Sequence, residues 1–220
     1  MRLVLTSDLH GHLPRVPPCD ALLIAGDLCP IENHDCGFQA EWLREKFVPW
    51  LQAVPARQKL FIAGNHDFVF AEEPDLLDGI GWPGIYLQDS GVVWEEVHFW
   101  GSPWANELPG WVFTASEEEM AAYWALIPPT TQVLLVHGPP RGLGDVVIGS
   151  RSGDTLHVGS RTLLEAINCL PQLRLVVFGH IHEATGIYSH RRGQVTLVNA
   201  ALMDVFYSPT NPVRTFELRK

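Results

Sequence analysis

Histidine, aspartate and asparagine side chains recur where apolar segments of this sequence end. The last such place is 177–182, where an apolar run ends at a glycine and His180 and His182 follow with one residue between them. In an extended chain, residues i and i+2 point to the same side, so both imidazoles can face one site, about 6–7 Å apart along the backbone. A single His-x-His pair is weak evidence, because it also occurs by chance on surface loops.

Four earlier segments have the same form and strengthen the prediction. Each is an apolar stretch that runs into a turn of glycine, aspartate, asparagine or histidine, and they are 3–10, 21–27, 60–67 and 133–138. Ligands collect at the carboxyl ends of parallel strands, so five such strand ends predict one shared site. The polar side chains collected there are those of Asp8, His10, Asp27, Asn65, His137, His180 and His182.

These seven candidate metal ligands offer nitrogen and oxygen atoms and no thiolate. That excludes a structural cysteine-type zinc site and favours manganese, with iron and zinc as alternatives, whereas calcium would take more carboxylates and carbonyls. Seven ligands suit two divalent or trivalent ions that share a carboxylate, about 3.5–4 Å apart with a bridging hydroxide. Only Asp8 and Asp27 bring negative charge, so the loaded site would be cationic and attract a phosphate.

His66 is the polar residue left over from this set. It follows Asn65 directly and need not reach the same metal, so an imidazole of near-neutral pKa there could donate a proton to a leaving alkoxide. The alternative is a histidine that only orients other groups. Asp67 or Glu32 could hold its ring, and the sequence does not choose between them. His12, further along the first turn, is predicted to be a solvated loop residue.

The composition is that of an ordinary globular protein. The 220 residues are 46% hydrophobic and predict one domain over 1–220. No apolar run reaches the roughly 18–20 residues needed to cross a bilayer, and Asp8 and His10 interrupt the apolar N-terminus, so we expect no membrane association and a cytoplasmic location.

The cysteines form no CxxC pair and are predicted to be reduced thiols; they are Cys19, Cys29, Cys36 and Cys169.

The formal net charge of −10 limits the partners. General binding to nucleic-acid backbones needs clustered lysine and arginine, so we expect none. A small phosphorylated substrate, such as a nucleotide, stays compatible because metal ions can supply local positive charge. The oligomeric state is left open.

Apolar patterning predicts the elements that carry these turns. Buried strands are expected at 2–7, 21–25, 59–63, 133–136 and 173–178. Helical spacing predicts helices over 38–53, with an aromatic stripe including Phe38 toward the core, over 116–126, capped by Ser116 and Glu119, and over 160–170, capped by Ser160. A second sheet is predicted from short strands at 86–87, 92–97, 98–100, 196–198 and 214–218, with a loop at 183–186.

Four tryptophans lie in or near this β-rich region: Trp94, Trp100, Trp104 and Trp111. The first interpretation is packing in the core and at its rim. The functional alternative is a stacking surface for a base or ring, for which Trp104 and Trp111 are the candidates.

The ordered motifs Asp-x-His, Gly-Asp, Gly-Asn-His-Asp, His-Gly and Gly-His-x-His, from Asp8 to His182, resemble those of the calcineurin-like metallophosphoesterase superfamily. Further stretches are similar to its metallophosphoesterase-domain-containing subgroup, and they are 87–90, 101–104, 137–140, 179–183, 199–200 and 209–212. The resemblance implies an α/β fold, a four-layer α/β/β/α sandwich of two mixed sheets flanked by helices.

By motif position, the resemblance also implies the ligand sets. One metal would take Asp8, His10, Asp27 and His182. The other would take Asp27, Asn65, His137 and His180, so that Asp27 bridges, and His66 would be the catalytic histidine. Some vertebrate members of the subgroup have glycine at the position of His180; this chain keeps histidine, which implies a competent dinuclear site.

The function implied is a metal-dependent phosphoesterase, of phosphodiesterase type, in which a metal-bridging hydroxide attacks the ester and a histidine is the general acid. Protein serine/threonine phosphatases have an Asp-Arg pair soon after the Gly-Asp motif, whereas Leu-Cys-Pro-Ile-Glu follows here at 28–32, which argues against phosphoprotein and dinucleoside tetraphosphate substrates. Two alternatives stay open. One is a nucleotide-binding or scaffold protein with weak residual hydrolysis, and the other is a small-molecule phosphomonoesterase.

Overall fold

Two mixed β-sheets and five α-helices form most of the computed structural model, which describes residues 1–148 and 154–219. The strands are, in chain order, β1 (Arg2–Thr6), β2 (Cys19–Ala25), β3 (Ala56–Ile62), β4 (Ile85–Tyr86), β5 (Ser90–Trp94), β6 (Val97–Ser102), β7 (Ala105–Asn106), β8 (Thr114–Ala115), β9 (Val133–Val136), β10 (Val146–Ile148), β11 (Thr155–His157), β12 (Leu175–Phe178), β13 (Gly186–His190), β14 (Val195–Asn199) and β15 (Arg214–Glu217). The α-helices are α1 (Cys36–Trp42), α2 (Val48–Ala53), α3 (Phe68–Glu72), α4 (Glu117–Trp124) and α5 (Arg161–Cys169).

The first sheet has the order β15-β1-β2-β3-β4, and β15 alone of these five runs antiparallel to its neighbour. The second sheet has the order β13-β14-β12-β9-β6-β5, with a parallel centre and an antiparallel strand at each edge. The pairs β7–β8 and β10–β11 form two small additional sheets. In both large sheets the carboxyl ends of the parallel strands lie on the same side of the molecule. The candidate ligands lie in the turns directly after these strand ends.

Three apolar layers separate the sheets and helices. Residues from both sheets, among them Leu23 and Val177, form the middle layer, because inward-facing side chains of two sheets interdigitate when the sheets pack face to face. The outer face of the first sheet is covered by the helices between β2 and β3, through Leu43 and Phe47. The outer face of the second sheet is covered by α4 and α5, through Met120 and other apolar side chains. The predicted four-layer α/β/β/α sandwich is therefore confirmed.

The predicted helix over 38–53 runs from Cys36 to Ala53 and contains a wider, π-helical turn at Leu43–Phe47. Pro49 follows this turn and has no N–H to donate to the preceding carbonyls, so the helix widens where one backbone hydrogen bond is missing. The prediction for Phe38 was wrong, because its side chain is 36% exposed. It lies in the first turn of α1.

Two strands assigned to the second sheet belong to the first. Tyr86 lies in β4, which pairs in parallel with β3, and the C-terminal strand β15 pairs antiparallel with β1. The sequence does not show which sheet either strand joins, because a short edge strand has the same local pattern in both. The predicted 183–186 loop overlaps a single helical turn, His182–Ala184, and its last residue, Gly186, is the first residue of β13. Both predicted caps are confirmed, with a capping box at Ser116 and a side-chain cap at Ser160.

The cysteines are free thiols at all four positions, as predicted. No helix in the part of the chain that the structure describes is long and apolar enough to cross a membrane. The single domain over 1–220 stays a prediction.

Candidate metal centre

Five turns, three from the first sheet and two from the second, carry the seven candidate ligands. Backbone hydrogen bonds join these turns to one another: the N–H of Asp8 donates to the Gly26 carbonyl at 3.0 Å, and the N–H of Gly179 donates to the His137 carbonyl at 3.0 Å. Ser7 links the two sheets at this edge through a parallel bridge to Ala201. Backbone hydrogen bonds therefore hold the turns side by side without the help of a bound ion.

Four candidate ligands have a left-handed backbone: Asp8 (φ 53°), His10 (φ 42°), Asp27 (φ 53°) and His180 (φ 67°). Non-glycine residues adopt this conformation rarely, and it costs free energy unless the surroundings enforce it. Such residues cluster at functional sites in proteins. This backbone conformation changes the direction of each side chain at the end of its strand. As a result, all four polar groups face the same site.

Glycines make room for the carboxylates. A Cβ on Gly64 would overlap Asp27 Oδ1, and a Cβ on Gly179 would overlap the Asp8 carboxylate and the Ser7 side chain. The glycines of the Gly-Asn-His-Asp and Gly-His-x-His motifs are therefore required by close approach to another turn rather than by their own backbone angles.

The first donor group consists of Asp8, His10 and His182, whose potential ligand atoms all lie within 4.8 Å of one another. His182 Nε2 is 3.3 Å from Asp8 Oδ1 and 3.4 Å from His10 Nε2. Asp8 also accepts the backbone N–H of His180 at 2.9 Å, which fixes the direction of its carboxylate. All these side chains are buried or nearly so.

The second donor group is centred on Asn65. Its Oδ1 is 3.0 Å from His137 Nε2 and 2.8 Å from His180 Nδ1. Asp27 lies between the two groups, because its Oδ2 is 3.3 Å from His137 Nε2 and 3.6 Å from His10 Nε2. The structure thus brings all seven predicted residues together, with Asp27 in the shared position.

The hydrogen bonds of the imidazoles show that this donor set suits cations. His137 Nδ1 lies 2.9 Å from the Ala25 carbonyl and His182 Nδ1 lies 3.0 Å from the Asp204 carbonyl, and a carbonyl can only accept. Each ring therefore carries a proton on Nδ1, and its Nε2 lies 3.3 Å from a carboxylate oxygen. Without an ion, a second proton on Nε2 can satisfy that oxygen, and a metal ion would take the place of this proton.

Comparison with known proteins also points to a metal-binding family. Residues 1–184 match the family model of calcineurin-like phosphoesterases. This chain belongs to that family. Metallophosphoesterase domain-containing protein 1 of Homo sapiens and that of Mus musculus are each 34% identical to it, over 99% of this chain and 71% of their own length. A Caenorhabditis elegans protein of the UPF0046 group is 34% identical over 91% of this chain and 69% of its own.

Membership of the calcineurin-like phosphoesterase family supports a hydrolase of phosphoric esters, and members of this family normally bind two metal ions. The clustered donors described above are the candidate metal-binding residues of this phosphoesterase. Which residue binds which ion stays a prediction.

The charged groups of the site change one another's pKa in this phosphoesterase. Burial raises the pKa of Asp8, but the hydrogen bond and charge of His182 outweigh burial and lower that pKa to about 2. Burial lowers the pKa of His137, yet the Asp27 carboxylate raises it to about 9. Burial also raises the pKa of Asp27, but the charges of His137 and His66 hold it well below its ordinary value. Both carboxylates are therefore ionised at neutral pH, as metal ligands must be.

His66 lies beside the donor groups but has its own partners. Its backbone N–H donates to Asp27 Oδ1 at 2.8 Å, and its ring nitrogen Nδ1 is 3.2 Å from Nε2 of His34. The predicted partners of the ring were wrong. The Asp67 carboxylate instead accepts the backbone N–H groups of Leu28 and Gly64, each at 2.9 Å, and joins two turns, while Glu32 is exposed.

A cleft of about 220 Å³ opens onto this centre. Its lining residues are Asp27, Asn65, His66, Leu108, Trp111, His180, His182 and Tyr207. The Trp111 ring lies 4.3 Å from the His66 ring, and the Tyr207 ring lies 4.9 Å from that of His10 and 5.1 Å from that of His182. Aromatic side chains therefore form the mouth of the cleft.

Sequence reasoning missed three residues here: His34, Tyr207 and Asp204. They are remote in sequence from the motifs they contact, and no local spacing marks them. Of the two tryptophans considered for stacking, Trp111 lines the cleft. Trp104 does not, because its ring is stacked on Tyr123 at 4.0 Å and its Nε1–H donates to Asp89. His12 is exposed.

Proposed function

We propose that this protein is a dinuclear metal-dependent phosphodiesterase. The observation that carries the proposal is the position of Asp27 Oδ2, which lies within 3.6 Å of imidazole nitrogens from both donor groups. One carboxylate in that position can serve two cations, and a pair of cations is the arrangement that stabilises both the attacking and the leaving oxygen of an in-line displacement.

One ion would be held by Asp8, His10, Asp27 and His182, and the other by Asp27, Asn65, His137 and His180. We propose manganese, with iron and zinc as the other ions that these nitrogen and oxygen donors accept. When bound, such ions activate water as the nucleophile and stabilise negative charge on phosphoryl oxygens. The carboxylates of Asp8 and Asp27 only partly neutralise them, so the site would retain positive charge for the substrate.

His66 is proposed as the general acid. It lines the cleft next to Asp27, where a ring proton can reach the leaving oxygen of a bound substrate. Burial lowers its pKa, which makes the protonated ring a stronger acid and reduces the protonated fraction at neutral pH. As the bond between phosphorus and the leaving oxygen breaks, the proton would pass from His66 to that oxygen. Positioned proton transfer of this kind contributes about 10²–10⁴-fold to a rate.

The lining of the cleft supports a diester rather than a monoester. No lysine or arginine is among its described lining residues, so the substrate phosphate would have only the two ions to balance its charge. A diester carries one negative charge, whereas a monoester carries up to two near neutral pH. Leu108, Trp111 and Tyr207 offer apolar and aromatic contacts that suit the second ester group of a diester.

Hydrolysis of bis(p-nitrophenyl) phosphate by manganese-loaded protein tests the proposal directly. We expect turnover that Asp27→Asn abolishes, because the substituted amide brings no charge to either donor group. Asp20→Asn is the matched control, since Asp20 pairs with Arg57 at the surface, remote from the turns of the centre. Absence of turnover by metal-loaded wild-type protein on this diester and on a panel of nucleotide diesters and monoesters would reject the catalytic proposal.

The same experiment separates the alternatives. Faster hydrolysis of monoesters than of diesters would identify a small-molecule phosphomonoesterase. Tight nucleotide binding with negligible hydrolysis, unchanged in His66→Ala, would identify a binding or scaffold protein instead.

A further inference from the structure

The ring of His66 has one hydrogen-bonding partner among the described residues, and that partner is a second histidine. His34 Nε2 lies 3.2 Å from His66 Nδ1. A carboxylate would be the common partner for a catalytic imidazole. Here the Asp67 carboxylate accepts backbone N–H groups, and the Asp27 carboxylate accepts the backbone N–H of His66 rather than a ring N–H of His66. The other ring nitrogen of His66, Nε2, makes no hydrogen bond within residues 1–148 and 154–219.

His34 is itself held in place by packing and by the start of helix α1. Its ring stacks on Phe68 at 5.0 Å with an interplanar angle of 25° and meets the edge of Trp111 at 5.3 Å. The next residue, Asp35, caps α1 by accepting the N–H of Phe38. A ring restrained on two sides loses little further freedom when it forms a hydrogen bond.

The same helix also fixes the backbone of His66. The buried Gln39 side chain donates to the His66 carbonyl at 2.7 Å and accepts the N–H of Val69 at 3.0 Å. His66 is thus held by its carbonyl through Gln39, by its N–H through Asp27 and by its ring through His34. The first two fix the main chain only. The ring also packs against Trp111, but its one described hydrogen bond, which sets the direction of its nitrogens, is to His34.

We propose that His34 is a positioning residue for the reaction, acting through His66. His34 Nε2 accepts the proton on His66 Nδ1, which directs His66 Nε2 into the cleft. The proton on Nε2 passes to the leaving oxygen as the P–O bond breaks, and His66 is left neutral, with its remaining proton on Nδ1 still donated to His34. This inference rests on the proposed role of His66 as general acid.

A double-mutant cycle with two leaving groups tests it. p-Nitrophenolate leaves without protonation, whereas phenolate leaves faster when it is protonated. In wild-type background, His34→Ala should lower kcat for diphenyl phosphate by about 10–100-fold, the usual effect of removing a residue that orients a functional imidazole. It should leave kcat for bis(p-nitrophenyl) phosphate nearly unchanged, and in His66→Ala background it should change neither substrate.

Two further variants make the cycle specific. His34→Gln can keep an acceptor oxygen near His66 Nδ1 and should recover part of the rate on diphenyl phosphate. His190→Ala is the matched control, because His190 also makes a single side-chain hydrogen bond, to Asn168 at 2.8 Å, far from the cleft. It should leave both rates unchanged. Equal losses on both substrates, or the same loss in the His66→Ala background, would overturn the inference.

A measurement without turnover keeps the inference separate from the proposed function. Long-range ¹H–¹⁵N correlation spectra of zinc-loaded protein should show His66 protonated on Nδ1 with a hydrogen-bonded proton, and that signal should disappear in His34→Ala. If wild-type protein hydrolyses no ester but shows this signal, the proposed function fails and the contact stands. If the signal is missing in wild-type protein, the positioning role is overturned whatever the activity.

Discussion

The backbone N–H of His66 donates a 2.8 Å hydrogen bond to Asp27 Oδ1, while the other oxygen of that carboxylate lies 3.3 Å from His137 Nε2. One side chain therefore joins the turn after β3 to the turn after β9, which belong to different sheets. Asp27 has a positional role for His66 in addition to the ligand role proposed for it.

Removal of metal should destabilise the protein. If the ions bind the folded chain alone, a concentration of about 100 times the dissociation constant adds about 2.7 kcal/mol to the free energy of unfolding. For a chain of this size, that corresponds to a decrease of about 5–10 °C in Tm when a chelator removes the ions. Differential scanning calorimetry with EDTA, and again after manganese is restored, measures it. An unchanged Tm, with metal analysis showing bound ions before chelation, would contradict the prediction.

Metal-free protein should lose stability on the alkaline side of pH 6.5. Burial lowers the pKa of His137 and of His182, but Asp27 raises the first to about 9 and Asp8 raises the second to about 8. Both histidines therefore favour folding when protonated. That contribution is complete below their ordinary pKa of 6.5 and is lost as the pH rises through 8 and 9.

On the acid side the sign is reversed. Burial lowers the pKa of His10 and of His180 to about 4, so their neutral forms favour folding and this contribution is lost as the pH falls from 6.5 through 4. The Tm of chelated protein should therefore be highest near pH 6.5. Metal-loaded protein should show no alkaline decline, because the ions replace the protons on His137 and His182. Equal profiles with and without metal would contradict this.

Gly179→Ala should damage the site, because its Cβ would overlap the Asp8 carboxylate and the Ser7 side chain. Overpacking of a buried site costs about 1–3 kcal/mol, and displacement of Asp8 should also weaken metal affinity. Gly81→Ala is the control, since a Cβ at Gly81 meets nothing within 4 Å. Urea unfolding and metal titration of both variants measure the two effects. Wild-type stability and affinity in Gly179→Ala would show that the turn can move away without loss.

Trp111→Leu should weaken binding of diesters that carry aromatic groups. An aromatic pair contributes about 0.5–1.5 kcal/mol beyond burial of its area, which is about a 2–10-fold increase in the inhibition constant of diphenyl phosphate against a faster substrate. Inhibition by dimethyl phosphate should change little. Trp94→Leu is the control, because Trp94 packs under Arg57, on the β5 strand. Equal weakening of both inhibitors would mean that Trp111 only supports the cleft.

The sequence was sufficient to predict which residues meet at the centre, because each motif is local. Asp27 and His180 each lie in a sharp turn directly after a strand. Parallel pairing of neighbouring strands then brings their carboxyl ends, and the residues after them, close together. The capping box of Ser116 was predictable for the same reason, since all its atoms lie within four residues. The layer order came from the family resemblance rather than from patterning.

Contacts between residues remote in sequence could not be predicted. His34 and His66 are separated by 32 positions, and a histidine in a loop before a helix carries no signal of what it will face. The direction of the Asp67 side chain depends on where the turn after β2 presents its N–H groups. The strand Arg214–Glu217 has two possible sheets to join, and only the assembled fold decides between them.

The candidate ligands are divided between the two sheets, four after strands of the first sheet and three after strands of the second. A pair of ions there would join chain segments as far apart in sequence as Asp8 and His182, which are 174 positions apart. Resistance of the protein to proteolysis would then follow the supply of transition metal, because chain without ions opens more often and is degraded. Cells starved of the metal that it binds would lose the protein itself as well as its activity.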